Sequence, residues 1–532
     1  VVPFEAVAGT VQRLHVPVVI HDVRRPLHVR IVLGGRIVAA ADVPLDPSRA
    51  AGRLVVLVSD TRAGLGVLRD IDDRAVGAYV QAAALPSRWE EYAGVDVVVL
   101  RDLDPARLSE GQRDALLTWT RLGGRIVVIA PPGGRPLPAF LMPVLPARLG
   151  DAGVLSGSGD LTAKYGAAVP GGPVPAVALV PRPGATVVRA GGVPVVAEDA
   201  AGDGYVTVWG IDPTTAPLAD WQGRRRLWRE ALAEPAPALV DASVLADRMS
   251  PRIPVDRFSH IIAGLLIALY IAGLAMARRR RPSLAGTAAV GIAAAVLAIA
   301  VFAHLAGSAR TRSTTLTQVA VLRQAQDAPV AQALVVASAM VPYGGPVSVL
   351  APPDTVAGPV ATIGDLRVQW TDEAAVLAGR VRPDLPWTFE ARAAVPLRTS
   401  ARFDPATQTL AADLGAAGLR DAAVWWRGFV HPLGGLPAGR TSRPVGLTGW
   451  RRVSDAVADD TAVGRFFRAP ESQAAGAIAR WPRPLLVGEW TGRAPGFALG
   501  GGTPSPAGQG MQDTVLVIPI DGPPPDVPPT QP

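Results

Sequence analysis

The chain has 532 residues, 52 Lys+Arg against 45 Asp+Glu for a formal net charge of +7, and 49% apolar residues. That length predicts roughly two to four domains, and the apolar content excludes a disordered chain. The absence of cysteine excludes a disulfide framework, a thiolate metal site and a cysteine nucleophile together.

Residues 1–50 read as β-strands. RLHVPVVI, PLHVRIVL and GRIVAAADVPL alternate or run apolar between turn signals such as Gly34-Gly35. They are expected to form the tail of a β-sandwich. Asp46-Pro47-Ser48 marks its end. The chain opens at Val1 with neither Met nor a signal sequence, so upstream sequence is expected.

From Arg53 the rhythm changes. RLVVLVSD, VDVVVL (95–100) and RIVVIA (125–130) are short apolar runs separated by helical stretches. Continuous apolar strands alternating with helices predict a parallel sheet covered on both faces. The helix before the third strand is well marked. Ser109 and Gln112 form a capping box, Leu116, Leu117 and Trp119 supply an apolar face, and Gly123-Gly124 ends it. Residues 205–211 predict a further strand and 221–232 a further helix. YAGVDVVVLRDLD (92–104), the helix at 109–122, GGRIVVIAPPGG (123–134) and GYVTVWGIDP (204–213) resemble the class I glutamine-amidotransferase-like fold over 53–235. In active members a cysteine nucleophile and a histidine follow two of these strands. The corresponding places here are near Ala130-Pro131 and at Asp212. Residues 51–259 contain neither Cys nor His, so the thiolate and imidazole of that reaction are missing. The resemblance therefore implies a catalytically degenerate domain.

The centre predicts a membrane hairpin. Residues 258–277 and 284–306 carry no charge, and as helices they span about 30 and about 34 Å, matching a bilayer core. Arg278–Arg281 lie in the loop 278–283 between them, which places that loop in the cytoplasm and both large segments outside it. The net charge has its origin here. Residues 1–257 hold 28 basic and 27 acidic groups, 258–309 hold four and none, and 310–532 hold 20 and 18. No domain has the basic excess that nucleic-acid binding needs. The run Arg224–Arg226 reads as a solvated helix face. His260 and His304 read as interfacial anchors.

From 310 the pattern is mainly β. Residues 310–450 predict a β-sandwich-like domain, 451–520 a mixed helix and strand segment, and 521–532 a proline-rich tail. Trp370, Trp387, Trp425 and Trp426 read as core aromatics, with a carbohydrate or peptide groove as the competing reading. His431 has no partner in sequence.

Motifs of known chemistry fail one by one. Asp70, Asp72 and Asp73 lack calcium-loop spacing. Gly64-x-Gly66 lacks the third glycine of a dinucleotide site. Asp241-Ala242-Ser243 lacks the rest of a metal-dependent adhesion site. No catalytic, cofactor-binding or metal-binding residue is assigned, and no cofactor is expected.

The whole layout resembles bacterial membrane proteins that carry an extracytoplasmic glutamine-amidotransferase-like domain. The expected fold class is multidomain α/β plus β, with a central two-helix transmembrane hairpin and a C-terminal β-sandwich-like domain. The expected role is a non-enzymatic, membrane-anchored cell-envelope scaffold or binding module, two-pass, with the lipid bilayer and an envelope protein as partners and no nucleic acid. Two alternatives stand beside it. One is an extracytoplasmic hydrolase using Asp60, Asp102 and Asp212, which follow strand ends. The other is an accessory subunit of a transporter.

Overall fold

The computed structural model describes residues 26–34, 36–44, 53–59, 65–71, 75–101, 103–130, 136–155, 157, 159–169, 173–232, 271, 315–325, 328–341, 345–352, 355–360, 367–370, 375–382, 386–446, 448–452, 483–499 and 509–522. Among these residues strands dominate, and they form several mixed sheets.

β1 (Leu27–Leu33) and β2 (Arg36–Val43) make an antiparallel hairpin. Leu27, Val29 and Ile31 face Val43, Ala41 and Ala39 across the ladder, while His28 pairs with Asp42 on the other side. One face of the hairpin is therefore apolar and the other polar.

The next body is a seven-stranded sheet. Its strands are β3 (Leu54–Val58), β4 (Val76–Val80), β5 (Val97–Arg101), β6 (Arg125–Ile129), β9 (Thr186–Ala190), β10 (Val193–Ala201) and β11 (Gly204–Trp209), in the order β4-β3-β5-β6-β11-β10-β9. β7 (Ala147–Val154) and β8 (Pro175–Pro181) form a separate two-stranded antiparallel sheet. The first five strands of the seven run parallel, and β10 and β9 close one edge antiparallel. The apolar runs have a physical reason. Val55, Leu57, Val97, Val99, Val127 and Ile129 enter one core, and Val56, Val58, Val98, Leu100, Ile126 and Val128 enter the other. Successive side chains point to opposite faces, so a strand covered on both sides needs an apolar residue at every position. Each such burial contributes about 1.5–3 kcal/mol.

The covering helices are short. They are α1 (Leu68–Ile71), α2 (Glu110–Arg121), α3 (Gly159–Tyr165) and α4 (Arg224–Ala231). α4 sets Trp228 edge-on to Trp209 at 5.0 Å, and α2 sets Trp119 on Tyr92 at 5.4 Å. α2 starts where its sequence says. Ser109 Oγ accepts from the Gln112 N–H at 3.2 Å, and Gln112 Oε1 accepts from the Ser109 N–H at 2.9 Å. It ends at Gly123, whose φ of +121° suits glycine, and the Gly124 N–H donates to Trp119 O at 3.0 Å.

The C-terminal body contains β12 (Thr315–Gln324), β13 (Val330–Met340), β14 (Gly345–Leu350), β15 (Thr355–Pro359), β16 (Arg367–Trp370), β17 (Ala375–Val381), β18 (Trp387–Pro396), β19 (Ser400–Asp404), β20 (Thr409–Asp413), β21 (Leu419–Trp426), β22 (Phe429–Leu436), β23 (Arg440–Pro444), β24 (Arg451–Arg452), β25 (Leu485–Trp490), β26 (Ala498–Leu499) and β27 (Gln509–Asp521). Twelve of them form one sheet with the main order β15-β18-β13-β12-β27-β25-β21-β22-β24. β19 joins it on β27, followed by β20 and β23. β16, β17, β14 and β26 make a four-stranded sheet, which packs Val349 and Leu377 with Val335 and Phe389 of the large sheet. A second core joins Phe403 and Leu410 to Leu486, Leu516 and Ile518.

Two expectations are corrected. The described fold is mostly β-sheet in several mixed sheets, and it is not organised around a central two-helix hairpin. The described helices have 4, 12, 7 and 8 residues. The longest spans about 18 Å, against about 30 Å for a hydrocarbon core. Among the described residues no helix is long and apolar enough to cross a membrane, so a two-pass membrane topology is not supported. The segments 258–277 and 284–306, apart from Ile271, lie outside the described residues, as do His260, His304 and Arg278–Arg281.

Candidate functional site

Open parallel sheets place ligands beyond the carboxyl ends of their strands. In this sheet those ends are Ser59 after β3, Arg101 closing β5, Ala130 after β6, and Ile211-Asp212 after β11. Asp212, mostly buried, is an acidic residue at this edge. Arg101 Nε donates to its Oδ2 at 3.0 Å. Its Oδ1 accepts from the Thr214 N–H at 2.8 Å and from Thr214 Oγ1 at 2.5 Å. Both side chains of the ion pair are mostly buried, at 11% and 15% exposed. The carboxylate thus ties β5 to the turn after β11, with both oxygens occupied. Asp60 and Asp102 lie outside the described residues, so the expected trio of carboxylates is not assembled by the residues in view.

The remaining sequence candidates have structural roles or fall outside the description. Asp70 pairs with Arg225 at 3.3 Å, which engages the Arg224–Arg226 run with α1. Asp72, Asp73, Gly64, Asp241 and Ser243 are outside the described residues. Trp387, Trp425 and Trp426 are buried core residues. Trp370 belongs to β16. His431 Nε2 lies 3.1 Å from Thr448 O, with its ring edge-on to Trp450 at 5.3 Å. Among the described residues no group of three His, Asp or Glu side chains could hold a metal ion.

Sequence reasoning missed two features. The first joins the two bodies. Asp203, in the turn between β10 and β11, lies 2.6 Å from Arg323 near the end of β12, and Leu122 packs with Ala325, Ala328 and Val330 beside it. These residues are far apart in sequence, so no local pattern announces them.

The second is a cleft of ≈ 550 Å³ at one end of the C-terminal body. Its walls come from the end of β12, the β12–β13 turn, the β18–β19 link, and the ends of β20 and β27. Its frame is rigid. Gln324 is buried, and its Nε2 shares two protons among Ala328 O at 2.6 Å, Ala325 O at 3.1 Å and Val330 O at 3.1 Å. Thr399 Oγ1 donates to Gln324 Oε1 at 3.0 Å, joining two walls. A buried amide so fully satisfied fixes the turn it serves. Asp413 at the rim accepts from the Gly415 N–H at 3.2 Å and from Arg440 Nε at 3.1 Å. Those two bonds, the backbone one first, hold its carboxyl below the ordinary value of 3.8.

No protein-family model and no curated protein matches the chain. Among solved structures, the chain is similar to the exo-beta-1,4-mannosidase Op5Man5 from Opitutaceae bacterium strain TAV5, at 16% identity and a TM-score of 0.22. The match covers 34% of this chain and 35% of that one, so it spans about a third of the enzyme's length. At that score the likeness says nothing about this chain's fold or chemistry. The expected membership among membrane proteins with an amidotransferase-like domain is corrected on these grounds. No family model or relative supports it, and Asp212, at the position matched to the family's histidine, is a tethered structural carboxylate.

Proposed function

We propose that the protein is a non-enzymatic binding or scaffold module that works with a protein partner, and that it does not act on nucleic acid. The observation carrying this reading is the state of Asp212. A general acid or base needs a free lone pair or proton aimed at substrate space. Asp212 instead spends both oxygens on Arg101 and Thr214. The near balance of charge on either side of 258–309 supports the exclusion of nucleic acid.

The test is a turnover assay of the full chain against chromogenic esters, anilides and glycosides, beside Asp212→Asn. The expected result is no turnover above buffer for either protein, with a lower unfolding temperature for the variant. Saturable turnover by the wild type that disappears in Asp212→Asn would overturn the reading.

A further inference from the structure

The β1–β2 hairpin changes character along its length. Strand side chains alternate, so Leu27, Val29, Ile31 and Leu33 share one face of β1, and His28, Arg30 and Val32 share the other. The register slips by one between Ile31 and Val32: Ile31 pairs with Ala39, Val32 with Ile37, and Leu33 with Arg36. Directly opposed residues lie on the same face. At the base the second face is therefore polar, His28 with Asp42, and near the turn it becomes apolar, Val32 with Ile37. The tip is apolar on both faces. Its side chains Val32, Leu33, Ile37 and Val38 are 55–69% exposed.

The charge is also one-sided. Residues 30–38 contain two arginines, Arg30 and Arg36, and no acid. Asp42 lies toward the other end of β2, 2.6 Å from His28 Nδ1. At about 3.4 Å per residue, Arg30 stands about 10 Å behind Leu33. Arg36 sits in the last pair before the turn, and its long stem lets the guanidinium reach back from an apolar tip.

Three demands select the occupant. A packed second sheet covers one face of a strand pair, whereas this tip is apolar on both. A stable protein interface takes about 800 Å² from each partner, more than four side chains supply. A bilayer interface surrounds an inserted tip, needs no matching shape, and offers arginines anionic headgroups. We infer that the tip docks on an anionic lipid surface, with Val32, Leu33, Ile37 and Val38 entering the acyl boundary and Arg30 and Arg36 at the headgroup phosphates. The usual burial depth of such elements, about 5–10 Å, leaves Arg30 at headgroup level. The mode is peripheral and uses no membrane-spanning helix. It goes beyond the protein-partner reading and does not depend on it.

The experiment uses the full chain and a polarity-sensitive fluorophore. The chain has no cysteine, so Val38→Cys carries one label at the tip. Asp151→Cys, exposed on β7, carries the control label. The probes are vesicles of phosphatidylcholine alone and vesicles with about one third phosphatidylserine. The label at position 38 is expected to shift to the blue on the anionic vesicles, and the label at 151 to stay unchanged. Partition read by the tip label should be at least about tenfold weaker on phosphatidylcholine alone, as two arginines near the surface imply. Leu33→Asp with Ile37→Asp should abolish the shift, and Arg30→Gln with Arg36→Gln should erase the preference between the two vesicles. Vesicle binding without a shift at position 38 overturns the inference, as does an equal shift on both vesicles. A shift that needs no vesicles and grows with protein concentration assigns the tip to a second copy and also overturns it. If the doubly acidic variant fails to fold, the arginine variant and the two-vesicle comparison decide.

Discussion

Oδ2 of Asp203 and Nη2 of Arg323 lie 2.6 Å apart, with side chains 6% and 8% exposed, and the contact ties the seven-stranded sheet to the C-terminal body. The two partners do not contribute equally. Burial raises the Asp203 carboxyl above its ordinary 3.8, and this outweighs the opposing pull of the Arg323 guanidinium. Desolvation has won over attraction, a common outcome for buried pairs.

Removing the cation should therefore hurt most. Arg323→Met leaves a buried carboxylate without its counter-ion and is expected to cost about 3–5 kcal/mol. Urea unfolding at pH 7 measures it. A cost indistinguishable from zero would show that the pair does not hold the two bodies together.

Asp203→Asn should behave oppositely. A carboxyl whose folded value is raised contributes stability below its unfolded value, and loses that contribution as pH rises through the folded value. Asparagine mimics the protonated acid and keeps an acceptor for Arg323. At pH 7 the variant is expected to be no less stable than the wild type. The gap should close as pH falls toward 3.8, the ordinary carboxylate value. Paired unfolding curves of the two proteins from neutral to acid pH give the sign directly.

The start of α2 carries two separable contributions. Ser109→Ala removes one acceptor at the helix end and should cost about 1 kcal/mol. Gln112→Leu removes more. Its Nε2 also donates to Leu85 O at 2.6 Å and Ala82 O at 3.3 Å, so the neighbouring turn loses its donor. Each carbonyl left unpaired costs about 1–3 kcal/mol. The order Gln112→Leu worse than Ser109→Ala is the measurable outcome in urea.

Gly204 opens β11 against the end of α2. A Cβ there would sit 2.0 Å from Thr120 O and 2.1 Å from Gly124 O, both backbone atoms. Gly204→Ala must push the strand off the helix. A cost above about 3 kcal/mol, beyond ordinary overpacking, is expected. Soluble yield and thermal unfolding of the variant report it.

Local chemistry was readable where local physics decides. The runs at Val55–Val58, Val97–Leu100 and Ile126–Ile129 are apolar because both sheet faces are covered, and that leaves a signature within each strand. The Ser109–Gln112 box is a four-residue pattern, and the helix begins there. Asp212 was visible as a strand-end acid, but its structural use was not, because Arg101 comes from a strand 111 positions earlier. The same distance problem hides Asp203 with Arg323 and the cleft around Gln324, whose walls come from four separate stretches. The expected hairpin rested on two uncharged apolar stretches around the basic loop Arg278–Arg281, which apart from Ile271 lie outside the described residues, and the described helices are too short to supply one.

β27 lies between β12, to which it runs parallel, and β25, to which it runs antiparallel. Its residues Val515 to Ile518 are at most 1% exposed. During synthesis β12 leaves the ribosome long before its neighbour exists. Until residues 509–521 emerge, the strands of the large sheet form three part-sheets, β15-β18-β13-β12, β25-β21-β22-β24 and β19-β20-β23, whose edges lack the strand that joins them. Non-local pairing of this kind folds slowly and exposes strand edges to other chains. The strand that completes the core is therefore also the last to cover those edges.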